Sequence, residues 1–442
     1  MARFLFSVFG SSGHIHPMLP VAKILADQGH EVGFLTAPSY KALLEQMGFS
    51  YWAPRFWNAK VASLGMPIRS RNFVRSLREA IKYILEFSLP QGVEQAKDLE
   101  CCKREWNFDV LVSSDMVLGA SLFAERSNCI WATLGAFLSC PLPGPAIPPW
   151  SLGLRPPKNL LGRLGVGVFS FLYRQSFRLL SIRWNKIRRN HGLPSKSISL
   201  MYSIFSPYLY LLPSPSLFDY SRSDLPPSIH HVGPCMWEEA SSSTGSWVSP
   251  FDNDNPTLYC TAGTVYNSLD FVRVIVDAVR DKKVNVFATV GRNNDPVSLG
   301  TLPKNVQVVQ YVPQNVVLPR VSAVICNGGS GATMGAILAR KPMVIVPMIS
   351  DQPENARRCE DLGLAKVLSL KKFNAENVWL AIRSVLEDAR FQARATAVGD
   401  QFAALNGPRQ GAFLLDQLAR TRRPVLRSGN DGTSAAVERL GL

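Results

Sequence analysis

The chain has 442 residues, too many for one ordinary core, so two domains are expected. Its composition, 46% hydrophobic and 18% charged, is that of a soluble globular protein, and no apolar run reaches the roughly 20 residues needed to span a bilayer. A net charge of +15 favours anionic partners, but no nucleic-acid module is recognisable; eight scattered cysteines without a CxxC pair argue against a zinc site or disulfide framework and for a reducing cytoplasm.

Phe4 to Phe9 reads as a first strand, too short for a signal core and without a cleavage pattern. Pro17 to Gln28 reads as a helix: Pro17 suits a first-turn position, Leu19, Ala22, Leu25 and Ala26 share a face, and Gly29 closes it. Glu31 to Thr36 is the next strand, which completes a strand–helix–strand unit. Asp109 to Ser113 is a buried-type strand with Asp115 just past its end. Residues 140–158 are proline-rich loop, and Ile182 to Asn190 looks helical. No acidic residue occurs between Glu125 and Asp219, and residues 151–190 carry nine basic residues interleaved with Phe169, Phe171, Leu172, Tyr173, Phe177, Leu179, Leu180 and Trp184. Two readings of this stretch stand: an amphipathic helix packing on its own domain, or a peripheral contact with anionic lipid at the inner face of the cell membrane.

From Pro213 to Asp254 prolines and a Ser-rich run, Ser241 to Ser246, mark a domain boundary. Strands Thr257–Thr261, Val284–Val290, Val306–Val309, Val321–Cys326 and Met343–Val346 follow, with helix-like stretches such as Phe271–Arg280 between them. Such alternation predicts a parallel sheet wrapped by helices. The expected architecture is α/β: two Rossmann-like parallel-sheet domains facing a cleft. Residues 1–220 form the N-terminal domain, 221–255 a linker, 256–421 the C-terminal domain and 422–442 a flexible tail.

In open α/β sheets ligands sit at the carboxyl ends of strands. That rule selects Gly10 to Pro17, Ser113-Ser114-Asp115, Ala262-Gly263-Thr264 and the glycine turn after Cys326. His14 is a candidate base if a carboxylate such as Asp115 holds its imidazole; the competing reading is that it caps the helix. His16 is its rival. Thr264 can offer a hydroxyl to a phosphate, and Tyr311 can stack on a flat base. Asn327-Gly328-Gly329-Ser330-Gly331 runs from a strand into a helix, a geometry that holds phosphate, and Asp351-Gln352 can hold what hangs from it. Asp252-Asn253-Asp254 mimics a metal motif but reads as a solvated turn. Gly329, Gly331 and Gly335 loosely mimic a dinucleotide fingerprint with different spacing.

These motifs, in this order over residues 1 to about 420, resemble the family-1 glycosyltransferases, specifically the macrolide-glycosyltransferase-like bacterial branch of the UDP-glycosyltransferases. Gly13-His14-Ile15-His16-Pro17 resembles the family opening. Tyr311-Val312-Pro313-Gln314, the glycine turn and Asp351 to Ala356 resemble the donor signature. The resemblance implies a GT-B fold. His14 would be the general base, oriented by Asp115. Thr264, Tyr311, Val312, Gln314, Asn327 and Gly328 to Gly331 would hold a UDP or dTDP sugar, with Asp351 and Gln352 on sugar hydroxyls. No metal or other cofactor is implied. The family usually has histidine at Asn327, a hydroxyl at Ala332, glutamate at Gly335 and tryptophan at Tyr311. Lost hydrogen bonds at about 1 kcal/mol each would weaken donor binding. The expected function is inverting transfer of a hexose to a hydroxyl of a hydrophobic small molecule or lipid. The alternatives are a non-catalytic auxiliary protein of the same fold and an epimerase-like enzyme on nucleotide sugars.

Overall fold

The computed structural model describes residues 1–57, 78, 81–142, 144, 147–197, 199–237, 251, 254–263, 269–291 and 294–427. The chain forms two compact units. Met1–Trp150, Arg155–Cys235 and the chain from Asn406 onward make the first; Ser151–Leu154 and Met236–Leu405 make the second.

The first unit is built on β1 (Arg3–Ser7), β2 (Glu31–Leu35), β3 (Ser50–Trp52), β4 (Val110–Ser113), β5 (Ile130–Leu134), β6 (Tyr210–Leu212) and β7 (Ile229–His231). All pair in parallel, in the order β3-β2-β1-β4-β5-β6-β7. The inner strands are apolar without alternation because both faces are covered: Phe4, Leu5 and Phe6 of β1 and Val110, Leu111 and Val112 of β4 are all fully buried. The second unit repeats the plan with β8 (Thr257–Thr261), β9 (Asn285–Thr289), β10 (Val306–Val309), β11 (Ala323–Cys326), β12 (Met343–Ile345) and β13 (Ala365–Val367). Its parallel order is β10-β9-β8-β11-β12-β13. Strand order reverses between β1 and β4 in the first sheet and between β8 and β11 in the second. Each reversal leaves a crevice at the carboxyl ends, where loops can meet a ligand.

The expected α/β class and both parallel sheets are present. The expected boundaries differ from those observed. Residues 221–255 do not form a linker throughout, because β7 lies inside that span and extends the first sheet. Its three residues sit between Pro226-Pro227 and Pro234, too short a run to show a strand pattern. The helix Gly407–Thr421, expected in the C-terminal domain, belongs to the first unit. It packs on the helix Met18–Asp27, and a Cβ at Gly411 would sit only 3.3 Å from Val21. The first residues of the expected tail are anchored as well: Val425 donates its N–H to Tyr208 O at 2.9 Å, and Arg427 donates to Pro227 O at 2.8 Å. Residues 428–442, the run Ser241–Ser246 and Asp252-Asn253 lie outside the described residues.

The expected helix at 182–190 is the end of a longer one, Leu160–Asn190, capped by Asn159, whose side chain accepts the Gly162 N–H at 2.8 Å. Its C-terminal half docks on the first core through Phe177, Leu180, Trp184 and Ile187.

Candidate functional site

β1 ends at Ser7, and the chain then turns through Gly10 into a short helix, Ser12–Ile15, that carries His14. β4 ends at Ser113, so Ser114 and Asp115 emerge at the same carboxyl edge, on the far side of the strand-order reversal. The two loops meet. His14 Nδ1 lies 3.0 Å from Ser114 Oγ and 3.6 Å from Asp115 Oδ1. Ser114 Oγ donates to Asp115 Oδ1 at 3.2 Å, and the other carboxylate oxygen accepts the Ala136 N–H at 3.0 Å. The Asp115 side chain is fully buried and that of His14 is 16% exposed, so the imidazole is the end of this chain that reaches solvent.

The Ser114 hydroxyl has one proton. Given to the carboxylate, it makes the stronger, charge-assisted bond. Ser114 Oγ then accepts from His14 Nδ1–H, which leaves Nε2 without a proton and able to take one. Tyr210 is fully buried near this carboxylate. Burial, with the Asp115 charge adding to it, holds its phenol well above the ordinary range, so it stays neutral beside the carboxylate. His16, the rival histidine, sets its ring edge-on to Tyr40, with ring centres 6.5 Å apart.

In the second unit β11 opens into the glycine turn. Gly328 has φ +80°, and a Cβ there would meet Ile345 Cγ2 at 2.9 Å and Gln352 O at 3.1 Å. Only glycine suits both the backbone and the space. The helix Ser330–Leu338 starts immediately after, with Gly329 as its N-cap. Its first N–H groups have no partner within the helix, and its dipole adds positive character at that end. Asn327 is buried and spans two turns: its amide nitrogen donates to Ala262 O and its oxygen accepts the Gly329 N–H at 3.1 Å. The side chain thus ties the loop after β8 to the loop after β11. Cys326, just beneath, is no nucleophile, since burial pushes its thiol up to about 11.

The loop after β12 is fastened to this turn. Asp351 Oδ2 accepts from Ser330 Oγ at 2.7 Å and from Asn355 Nδ2 at 2.8 Å, and the same Asn355 nitrogen donates to Gly328 O at 2.9 Å. Gln352 Oε1 accepts the N–H groups of Met348 and Ile349 at 2.9 and 3.1 Å. Its carbonyl end is committed to its own turn, which leaves its amide nitrogen as the donor for a ligand. Gln314 begins the short helix after Pro313, and its Oε1 fills the place a side chain at 335 would take: a Cβ on Gly335 would lie 2.8 Å from it. Gly335 therefore goes with the position of Gln314. Tyr311 is 44% exposed and Val312 half-buried on the loop after β10. Thr264 lies outside the described residues.

Sequence reasoning placed Ser114 at a strand end and Asn355 within the donor signature but gave neither a role in these clusters. It missed that Ser151–Leu154 joins the second unit. There Glu354 Oε1 accepts the N–H groups of Leu152 and Gly153 at 3.0 and 2.8 Å, while its other oxygen pairs with Arg358 at 2.7 Å. Gly153, at φ +64°, would drive a Cβ to 2.6 Å from Pro353 O.

Three comparisons bear on this geometry. The 4'-demethylrebeccamycin synthase of Lentzea aerocolonigenes is 28% identical over 427 residues, 94% of this chain and 99% of the relative. The demethyllactenocin mycarosyltransferase of Streptomyces fradiae is 25% identical over 445 residues, 95% of this chain and 87% of the relative. The crystal structure of the glycosyltransferase VinC in complex with dTDP superposes with a TM-score of 0.67 at 18% identity, over 95% of this chain and 99% of that one. Fold and relatives together define the class: the chain is a glycosyltransferase of the GT-B fold. Within that class it carries, over residues 273–416, the domain described as the erythromycin biosynthesis protein CIII-like C-terminal domain, and its relatives are enzymes of natural-product biosynthesis.

Proposed function

We propose that the protein moves a hexose from a UDP or dTDP sugar to a hydroxyl of a hydrophobic small-molecule or lipid acceptor, inverting the anomeric carbon. The observation that carries this reading is the hydrogen-bonded chain from His14 through Ser114 to Asp115. His14 Nε2 removes the proton of the acceptor hydroxyl as its oxygen bonds to the anomeric carbon and the bond to the diphosphate breaks. The imidazolium that forms is balanced by buried Asp115. Such a positioned base contributes about 10²- to 10⁴-fold.

The second unit holds the nucleotide sugar. Backbone N–H groups of Ser330 and Gly331, at the start of a helix, receive the diphosphate and stabilise its charge as it leaves, without need of a metal, while the Gly329 N–H is held by Asn327. Gly328 lets the backbone approach, and Asn327 fixes the turn. From the sequence, Thr264 is a further candidate to bind phosphate. Asp351 and the Gln352 amide face the sugar hydroxyls. Tyr311 and Val312 contact the base, with Gln314 beside the nucleoside. The dTDP bound to VinC makes dTDP the first nucleotide to test. A reducing cytoplasm suits the eight free thiols.

The test is release of nucleotide diphosphate from a panel of UDP and dTDP sugars, with and without hydrophobic alcohols and phenols. Acceptor-dependent release is expected. In His14→Ala, kcat drops about 10²- to 10⁴-fold while calorimetric dTDP or UDP binding is unchanged. Wild-type turnover by that variant would remove His14 from the mechanism. If the wild type neither releases nor binds either nucleotide, the chain is an auxiliary protein on the same fold.

A further inference from the structure

The helix Leu160–Asn190 is about 46 Å long and has two faces of unlike fate. Phe177, Leu180, Trp184 and Ile187 point into the core. The opposite face carries Leu161, Leu164, Val168, Phe171, Leu179 and Ile182, spaced by three, four, three, eight and three residues, so that they fall in one stripe. All six are between 59 and 79% exposed. A continuous row of large exposed apolar side chains is a contact surface rather than the scatter normal on a protein.

Its chemistry chooses the occupant. Arg178, Arg183, Lys186 and Arg189 are exposed along or beside the stripe, and Lys158 and Arg163 are exposed near its start. No acidic residue occurs from position 126 to 218. The nearest carboxylate before that span, Glu125, is engaged by Arg188 and Lys196 on the docked side. A second copy of the chain would bring this row of cations against its own like, with no carboxylate on the helix to answer it. A surface that is apolar within and anionic above meets both features, because arginine and lysine stems lie along the apolar boundary while their heads reach phosphates. No helix among the described residues is long and apolar enough to cross a membrane, so the geometry required is one that lies flat.

We propose that the exposed face of Leu160–Asn190 rests in the interface of an anionic phospholipid bilayer, its apolar stripe among the acyl chains and its flanking cations on the headgroups. Neither the sugar donor nor the transfer step enters the argument, and the readout is independent of both. The full-length protein is sedimented with vesicles of phosphatidylcholine and phosphatidylglycerol, and with phosphatidylcholine alone, at low and high salt.

Binding is expected to the anionic vesicles and to fall with salt. The triple variant Leu164→Glu, Val168→Glu, Leu179→Glu should lose at least about tenfold in vesicle affinity with an unchanged Tm, since all three side chains are exposed. Arg178→Gln with Arg183→Gln should lose roughly fivefold for each charge. No sedimentation at low salt, equal binding to neutral vesicles, or full binding by the triple variant would each overturn the proposal. So would a wild-type dimer in light scattering that the triple variant converts to monomer, if vesicles capture neither form.

Discussion

Ser114 shows how one hydroxyl can set the direction of a proton. Its oxygen stands 3.0 Å from His14 Nδ1 and 3.2 Å from Asp115 Oδ1, closer than the 3.6 Å that separates the imidazole from the carboxylate. The histidine is therefore oriented through the serine. Removing the hydroxyl leaves the ring without its near partner and free to take the other tautomer. Losing one such hydrogen bond is worth about 1.5 kcal/mol, or about tenfold in rate. Ser114→Ala should lower kcat by about that factor with KM for the nucleotide sugar unchanged, and Ser114→Thr, which restores the hydroxyl, should recover most of it. Equal activity of the alanine and threonine variants would show Ser114 to be a spacer. His14 and Asp115 were legible because residue type and strand-end position single them out. Ser114 was selected with them by position but given no role, although a signal was present: Ser113 is the last paired residue of β4, so its successor is the first free to leave the sheet. Asn327 is the converse. Position put it at a phosphate turn, but its two polar ends are taken by Ala262 and Gly329, which only coordinates reveal.

At the scale of elements, the strands with long apolar runs were readable and the short ones were not. β8 was expected at its observed bounds, because five buried residues end in a small-residue turn. β5, β6 and β7 passed unread: β6 and β7 have three residues each, too few for a period, and β5, Ile-Trp-Ala-Thr-Leu, is buried along its whole length and does not differ in pattern from a helix segment. The final helix was similarly opaque in its destination, since an apolar stripe says that a helix packs and not on which sheet. Its pairing with the first unit has a titratable mark. His30 Nδ1 accepts the Ala2 N–H at 3.2 Å, and Nε2 faces Asp416 of the helix Gly407–Thr421 at 3.4 Å. Burial lowers the pKa of His30 below 6.5; Asp416 opposes this, while the N-terminal ammonium and Arg420 add to the lowering. A histidine whose folded pKa is depressed takes its proton more readily when unfolded, so its cost to stability is absent above about pH 6.5 and grows as pH falls below it. His30→Gln keeps a donor and an acceptor but cannot titrate. Between about pH 7.5 and 5.5 its Tm should fall less than that of the wild type by differential scanning fluorimetry; parallel curves would mean His30 is not the group involved.

For the molecule as a whole, the chain's path makes its end a part of its beginning. From Asn406 it returns to the first unit, and there Leu414, Leu415, Leu418 and Val425 are buried. Val425 also bonds the loop before β6 and, through its carbonyl, His230 of β7 at 2.9 Å. Four such side chains at about 2 kcal/mol each come to about 8 kcal/mol. That is comparable with the entire net stability of a typical domain, about 5–15 kcal/mol. A chain stopped after Leu405 retains every residue of the second unit, including Ser151–Leu154, and loses only material of the first. Hydrogen exchange on that truncated chain should show β6 and β7 unprotected while β8, β11 and β12 keep their protection, and nucleotide binding should survive where transfer does not. Had residues 406–421 belonged with the second sheet, as the linear order of the sequence suggests, the opposite pattern would be seen, with β11 and β12 opening first. The experiment thus separates two descriptions of the molecule that share every secondary-structure element and differ only in which core the last helix completes.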